Sequence, residues 1–469
     1  MTDQGHSPPF GAFSGTATQP RRYRSRLPGS GLIRFRRDPL TFLRELALRH
    51  GDVVRFRLGP REAYLLNNPE LIRDVLVTHD RRFVKGPGLR VAERLLGQGL
   101  LTSEGEFHRR QRRLVQPAFH RPRVAAYAGT MAGYAREWQE RWTDGESLDV
   151  AEEMGGLTLR IAARTLFDAE VGAEIRNVSE ALTESLRLFM WATLPFAARL
   201  EPFLPFLTRR FDRARAELDA VVYRMIAERR ASGEDRGDLL SMLLLACDTE
   251  GDGSGMTDLQ LRDEAMTLLL AGHETTANAL AWTWFLLSQN PEAEARLHAE
   301  VDTLLGGRAP TLEDVARLPY TRMVFAESMR LYPPAWIIAR QAVEECPLGS
   351  FTLPAGAVVL MSQWVTHHDP RYYPEPFRFD PERWTPEAAA RRPKWAYYPF
   401  GGGSRLCIGE QFAWMEGVLV LAAIAAQWRP RLVPGHPVVP QPVLTLRPKY
   451  GVRMVAERRR GNGSDGVTE

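Results

Sequence analysis

Between Thr257 and Pro291 the chain reads TDLQLRDEAMTLLLAGHETTANALAWTWFLLSQNP, a helical pattern with no proline inside it. Thr257 and Gln260 have the Ser/Thr-x-x-Glu/Gln form of a capping box, and Asn290-Pro291 supplies a stop. At 1.5 Å per residue such a helix spans roughly 50 Å. That is enough to cross a whole domain, so everything else must be arranged around one central rod.

The flanking sequence agrees with a large helical body. Residues 105–300 are dominated by helical periodicity, broken by "LLGQGLLTSEG" just before it, by "WATLPFAARLEPFLPFL" and by "DTEGDGSG". Earlier, "FLRELALRHGDVVRFRLGPREAYLLNNPELIRDVLV" predicts a helix, two short strands across a Gly-Pro turn and another helix. After about 335 short strands and proline-rich loops take over, with one more helix from about 408. No repeat or linker interrupts this span. The expected fold is mainly α with small peripheral β-sheets, one domain over 29–458 between a disordered leader (1–28) and a disordered tail (459–469).

Bulk properties exclude several functions. A formal charge of +4 is too mild to argue for nucleic acid, even with a sequence pI near 9.0. The longest apolar run, "GVLVLAAIAA", suits a buried helix rather than a membrane span. The N-terminal segment has no hydrophobic centre of the secretory kind. Only three cysteines occur, Cys247, Cys346 and Cys407, with no Cys-x-x-Cys. A disulfide scaffold and a structural zinc site are therefore not expected, a reducing cytoplasm is, and two of the three thiols are expected to be buried and inert.

Cys407 stands apart, in "YYPFGGGSRLCIGEQFAWMEG". A phosphate loop needs its glycines between strand and helix with a lysine following, and none follows here. The glycines precede a thiol at a helix N-terminus, where the dipole and free amides favour a thiolate, either nucleophile or metal ligand.

The spacing Phe400-x-x-Gly403-x-Arg405-x-Cys407-x-Gly409 resembles, at every fixed position, the haem-ligand loop of the cytochrome P-450 family. Three distant segments share the resemblance. Ala271-Gly272-His273-Glu274-Thr275-Thr276, in mid-helix, is similar to the family's oxygen-binding segment. Glu327-Ser328-Met329-Arg330 matches its Glu-x-x-Arg, with both side chains on one helix face, and Phe379-Asp380-Pro381-Glu382-Arg383-Trp384 resembles the loop that completes that cluster. In "GEFHRRQRRLVQPAFH", His108 and Arg112 occupy the places of haem-propionate contacts, and so does Arg340.

The resemblance implies haem b between the central helix and the cysteine-loop helix, with Cys407 as the axial iron ligand and Phe400, Arg405 and Gly409 around it. It implies that Gly272 and Ala271 open the helix toward the haem face and that Thr275 and Glu274 manage protons during dioxygen activation. Glu327, Arg330 and Arg383 would brace the loop. His273 stands at a variable site. The implied activity is monooxygenation of a lipophilic small molecule, such as a terpenoid, fatty acid or polyketide-like compound. Electrons would come from NAD(P)H through a separate ferredoxin or flavodoxin and its reductase, to an enzyme expected to be monomeric. Phe189, Phe196, Leu270, Trp336 and Ile337 are expected pocket residues, and Arg109, Arg110 and Arg113 a candidate docking face for an acidic donor. The rivals are a peroxide-driven peroxygenase and a non-catalytic haem sensor. A cysteine hydrolase using His367 or His368 leaves the glycine and arginine spacing unexplained.

Overall fold

The computed structural model describes residues 20–24, 29–59, 61–169, 205–248 and 253–459. The rod is there: Asp258–Gln289 is one helix, with the Thr257 and Gln260 side chains each accepting from the other's backbone N–H and Asn290 closing its end. From Leu261 on, buried residues line it on most sides, as a helix enclosed by protein over most of its length requires. Trp282 and Trp284 are fully buried in its C-terminal half. Trp282 stacks on Tyr332 with centroids 4.0 Å apart and gives its indole N–H to Leu446 O at 3.0 Å. Burial of each such side chain stabilises by about 2–3 kcal/mol.

Helix Val150–Phe167 packs along the rod, and Pro205–Ser232, Pro319–Leu331 and Glu410–Ala425 pack around it. Glu410–Ala425 contains the apolar run taken above for a buried helix, and its residues from Met415 to Ala425 are all buried. Among the described residues no helix is long and apolar enough to cross a membrane.

The sheets are peripheral. A six-stranded sheet has the order Arg21–Arg22, Val53–Leu58, Arg61–Leu66, Val358–Met361, Ile338–Ala342, Phe83–Lys85. Its first hairpin is the predicted pair, in register from Val53 opposite Leu66 to Leu58 opposite Arg61. A second core gathers on this sheet, with Phe42, Phe56, Leu65 and Trp336 among its members. The short strands Pro440–Pro442 and Leu446–Pro448 form a hairpin near the rod.

The structure corrects three expectations. Arg21–Arg22, assigned above to a leader, pair in parallel with Val54 and Arg55, and Tyr23 packs edge-on to Phe42. Composition registers side chains, whereas this strand is held by backbone groups at an open sheet edge. Residues 1–19 and 25–28 of that leader, and 460–469 of the tail, lie outside the described residues. Arg459, the first tail residue, instead donates to both Asp302 oxygens (2.9 and 2.6 Å) and to Ala425 O at 2.7 Å. Of the two thiols expected to be buried, Cys346 is buried and Cys247 is exposed.

Candidate active site

The loop 400–409 enters the Glu410–Ala425 helix through a closed turn. Cys407 N–H donates to Phe400 O at 3.0 Å and Leu406 N–H to Gly403 O at 3.1 Å. Gly401 and Gly403 have φ of 72° and 67°, the left-handed region that favours glycine. A Cβ on Gly402 would run into the Trp395 indole, one on Gly403 into the Leu76 carbonyl, and one on Gly401 would lie 3.4 Å from Ile338 Cδ1. The triplet thus makes room for neighbouring elements of the protein. Gly409 does border the sulfur: its absent Cβ would lie 4.0 Å from Cys407 Sγ.

Cys407 is surrounded by protein and yet keeps an accessible face. Burial pushes its thiol up to about 11, against the Gly409 N–H and the Arg112 charge, which pull it down. The helix terminus alone therefore does not produce the expected thiolate; desolvation outweighs it. A metal cation at the sulfur reverses that balance, because a coordinated thiol is deprotonated.

Around the loop, basic groups converge. Arg112 Nη1 donates to Leu406 O at 2.8 Å. Arg405 donates to Ser103 O at 2.9 Å and pairs with Glu104. Arg340 sits across the sheet register from Lys85, and Lys85 Nζ, buried, donates to Leu100 O and Ser103 O at 3.0 and 2.7 Å. Burial and the Arg405 charge press Lys85 down to about 7 and Arg340 to about 10. His108, buried among the same charges, is pushed to about 3 and is neutral. Lys85, Arg340 and Arg405 thus gather around Glu104, with Asp80 also facing Arg405, while Glu264, which also faces Lys85, is raised by burial to about 8, so positive charge is in surplus. A cofactor carrying two carboxylates on an apolar plate fits that surplus, so the haem implied by the motif suits the residues present. Lys85 and Glu104 were missed in the sequence, where a lysine on a three-residue strand looks like an ordinary surface residue.

On the rod, Leu268 to Leu270 and His273, Glu274 and Thr276 to Leu280 are buried, but Ala271 between them is exposed and Thr275 partly so. Residues four apart share a helix face, so Ala271 and Thr275 form an accessible notch in an otherwise enclosed helix. The Thr275 hydroxyl back-bonds to Ala271 O at 2.8 Å. Gly272, part-buried beside Ala271, also faces the neighbouring helix: a Cβ there would lie 3.6 and 3.9 Å from Leu166 and Ala162. Glu274 is buried, raised by that burial, and accepts from Thr445 Oγ1 at 2.7 Å. His273 is buried and neutral, its carbonyl accepting from Thr158.

The predicted brace is fully assembled. Both Glu327 oxygens accept from Arg330, at 2.7 and 2.8 Å, and also from Asp380 N–H and Trp384 Nε1. Arg383 Nε lies 3.4 Å from the same carboxylate and its Nη2 donates to Pro374 O at 2.6 Å.

Other assignments fare differently. Phe189 and Phe196 lie outside the described residues. Leu270 belongs to the main core, and Trp336 belongs to the sheet core with its indole N–H on Val443 O at 3.0 Å; Ile337 packs beside it, part-buried. Arg110 and Arg113 bind the buried Asp248 and so tether that segment to their helix, whereas Arg109 pairs with Glu106 within the helix itself. His367 accepts from Tyr398 N–H and His368 contacts Trp364 O; among the described residues neither ring hydrogen-bonds to Cys407, as the base of a cysteine hydrolase would.

Comparison with known proteins follows the same line. The family model described as Cytochrome P450 matches residues 27–453. Cyclooctatin synthase of Streptomyces melanosporofaciens is 45% identical over 463 residues, covering 95% of this chain and 98% of that protein. Cyclooctat-9-en-7-ol 5-monooxygenase of the same organism is 45% identical over 403 residues, 85% of this chain and 86% of its own length. Pentalenene oxygenase of Streptomyces avermitilis is 38% identical over 413 residues, 87% and 91% of the two chains.

Proposed function

From the premise that this chain belongs to the cytochrome P450 family and is a haem-dependent monooxygenase, we propose that its substrate is a terpenoid and that Cys407 carries the iron. The names of three relatives, cyclooctatin synthase, cyclooctat-9-en-7-ol 5-monooxygenase and pentalenene oxygenase, support the substrate class. The observation that carries the site is the accessible sulfur of Cys407 beside Arg112, with Arg405, Lys85 and Arg340 gathered with Arg112 around the buried His108.

Bound haem supplies activation of dioxygen and transfer of one oxygen atom to carbon. The chain's own residues do the rest. Cys407 holds the iron, and the Gly409 N–H steadies its sulfur. Arg112, Arg340, Arg405 and Lys85 neutralise the propionates, with neutral His108 among them able to donate one N–H. Phe400, 5.9 Å from the Trp414 ring, flanks the loop. Ala271 and Thr275 leave room at the notch, and the Thr275 hydroxyl and Glu274 carboxyl hold and hand on protons there. Glu327, Arg330 and Arg383 keep the loop approach rigid. In this reading NAD(P)H electrons arrive through a separate ferredoxin or flavodoxin and its reductase, in the cytoplasm, to a monomer.

The test joins spectrum and product. Reduced enzyme under carbon monoxide shows the thiolate-type Soret shift, and Cys407→Ser loses it. Cyclic terpenoids shift the spin state and are hydroxylated with NADPH and surrogate redox proteins. An unchanged spectrum in Cys407→Ser refutes the ligand. Turnover by hydrogen peroxide alone, indifferent to Thr275→Ala, favours a peroxygenase, and binding without any product favours a sensor.

A further inference from the structure

Glu274 and Thr275 are adjacent in sequence but held by different parts of the molecule. Thr275 bonds within its own helix. Glu274 is tied across to the hairpin 440–448, where the Thr445 hydroxyl meets its Oε1 at 2.7 Å. That hydroxyl also receives Asn278 Nδ2 at 3.3 Å, from one turn further along the rod. An amide N–H can only donate, so Asn278 fills a lone pair on Thr445 and leaves the single hydroxyl proton for Glu274. The arrangement is directional.

The hairpin itself cannot drift. Trp282 Nε1 donates to Leu446 O at 3.0 Å, Leu446 N–H to Pro334 O at 2.9 Å, and Trp336 Nε1 to Val443 O at 3.0 Å. Thr445 therefore stands at a fixed point beside the rod. It is buried, as are Asn278 and Glu274. The second carboxyl oxygen of Glu274, Oε2, is buried and has no hydrogen-bond partner among the described residues. Burial holds this carboxyl toward its protonated form, the Thr445 hydroxyl opposes that, and Arg447 of the same hairpin is the charged group that adds to the opposition.

We propose that Thr445, oriented by Asn278, is the positioning residue of Glu274: it fixes one carboxyl oxygen and leaves the other free to carry a proton to the notch at Thr275. The inference rests on Glu274 being the proton donor proposed above. Glu274 without Thr445 turns its carboxyl among several rotamers, and a donor out of reach delivers too late. Each dioxygen consumed takes two electrons and two protons, and ends either as one hydroxylated product with one water or as one hydrogen peroxide. Late protonation shifts that partition toward peroxide.

The experiment uses the holoenzyme with a terpenoid that gives product, and compares Thr445→Val, Thr445→Ser and Glu274→Gln. Two quantities are read: product against peroxide per NADPH, and, in the resting ferric enzyme without turnover, the infrared titration of the Glu274 carboxyl, identified by its absence from Glu274→Gln. Thr445→Val is expected to lower the product fraction roughly tenfold, the size of one strong hydrogen bond between neutral groups, and to move the carboxyl titration to higher pH. Thr445→Ser, which keeps the hydroxyl, restores both. A Thr445→Val enzyme with wild-type partition and wild-type titration, beside an uncoupled Glu274→Gln, overturns the role of Thr445 and leaves Glu274 as donor. A fully coupled Glu274→Gln overturns both. Where Thr445→Val does not retain haem, Thr445→Ala gives the same readings, and a Thr445→Ser as uncoupled as either also overturns the proposal.

Discussion

Replacing Glu327 by glutamine is the sharpest single test of the brace proposed for the cysteine loop. The side chain keeps its shape, so no cavity arises, and the change is confined to charge and hydrogen bonding. In the parent, one oxygen accepts from Arg330 Nη2 and Asp380 N–H, and the other from Arg330 Nε and Trp384 Nε1. Whichever way the amide turns, its NH₂ faces two N–H donors, so two of four bonds are lost. Each bond to a charged group is worth about 1.5–3 kcal/mol. The Arg330 guanidinium is also left buried without its counter-charge, since both partners are completely enclosed. Together the loss is roughly 3–5 kcal/mol, the range for breaking a buried pair from one side. Set against a typical stability of about 5–15 kcal/mol, Glu327→Gln should unfold at markedly lower denaturant and release haem on the way. Arg330→Leu is predicted to be worse, because it strands the carboxylate and also removes donors from His367 O, Pro376 O and Arg378 O. The assay is denaturant unfolding followed by circular dichroism and Soret absorption in parallel. A Glu327→Gln protein within about 1 kcal/mol of the parent refutes the reasoning, for it would mean that the pair is solvated in practice.

Gly403→Ala places a Cβ at a φ of 67° against the Leu76 carbonyl and should cost roughly 2–5 kcal/mol. Gly435→Ala, at a φ of 78° with nothing within 4 Å, should cost only about 1 kcal/mol; equal midpoints for the two in thermal unfolding would show that the contact is unimportant. Burial lifts Glu416, beside the Thr276 hydroxyl but without a well-aligned hydrogen bond, to about 8. Between an ordinary carboxyl value of about 4.5 and that value, the unfolded chain has lost a proton that the folded one keeps. Stability therefore falls as pH rises through this window. Glu416→Gln should flatten the fall by up to about 1.4 kcal/mol per pH unit, and a profile as steep as the parent's would refute it. Lys85→Met removes the donor to Leu100 O and Ser103 O and a basic group beside Arg340 and Arg405. Haem transfer to an acceptor apoprotein should be several-fold faster, and an unchanged rate would place Lys85 outside the cofactor's reach.

Much of the frame was legible because it is written in local signals. Capping box and Asn-Pro stop bound the central helix at Thr257 and Asn290 in sequence and structure alike. The hairpin Val53–Leu58 with Arg61–Leu66 followed from alternation around a turn. Glu327 and Arg330, three residues apart, were bound to meet on one helix face, and a long fixed spacing singled out Cys407. The site's electrostatics were not legible. The sequence places Cys407 near a helix start, which lowers a thiol's pKa, but only packing shows that burial raises it further than the helix can lower it. Gly272, Gly401, Gly402 and Gly403 look alike in sequence as room-makers, but what each makes room for is decided by residues far along the chain, such as Leu166, Ile338, Trp395 and Leu76.

Local order, then, was determined by the sequence itself, because helix caps, turn residues and i, i+3 pairs act between neighbours. Tertiary structure alone decided which charges share a buried space. Lys85, Glu104, Arg340 and Arg405 come from four separate segments, and Glu274 meets Thr445 across 171 positions of chain. Desolvation and Coulomb energy depend on distance in space, and no local pattern encodes that distance.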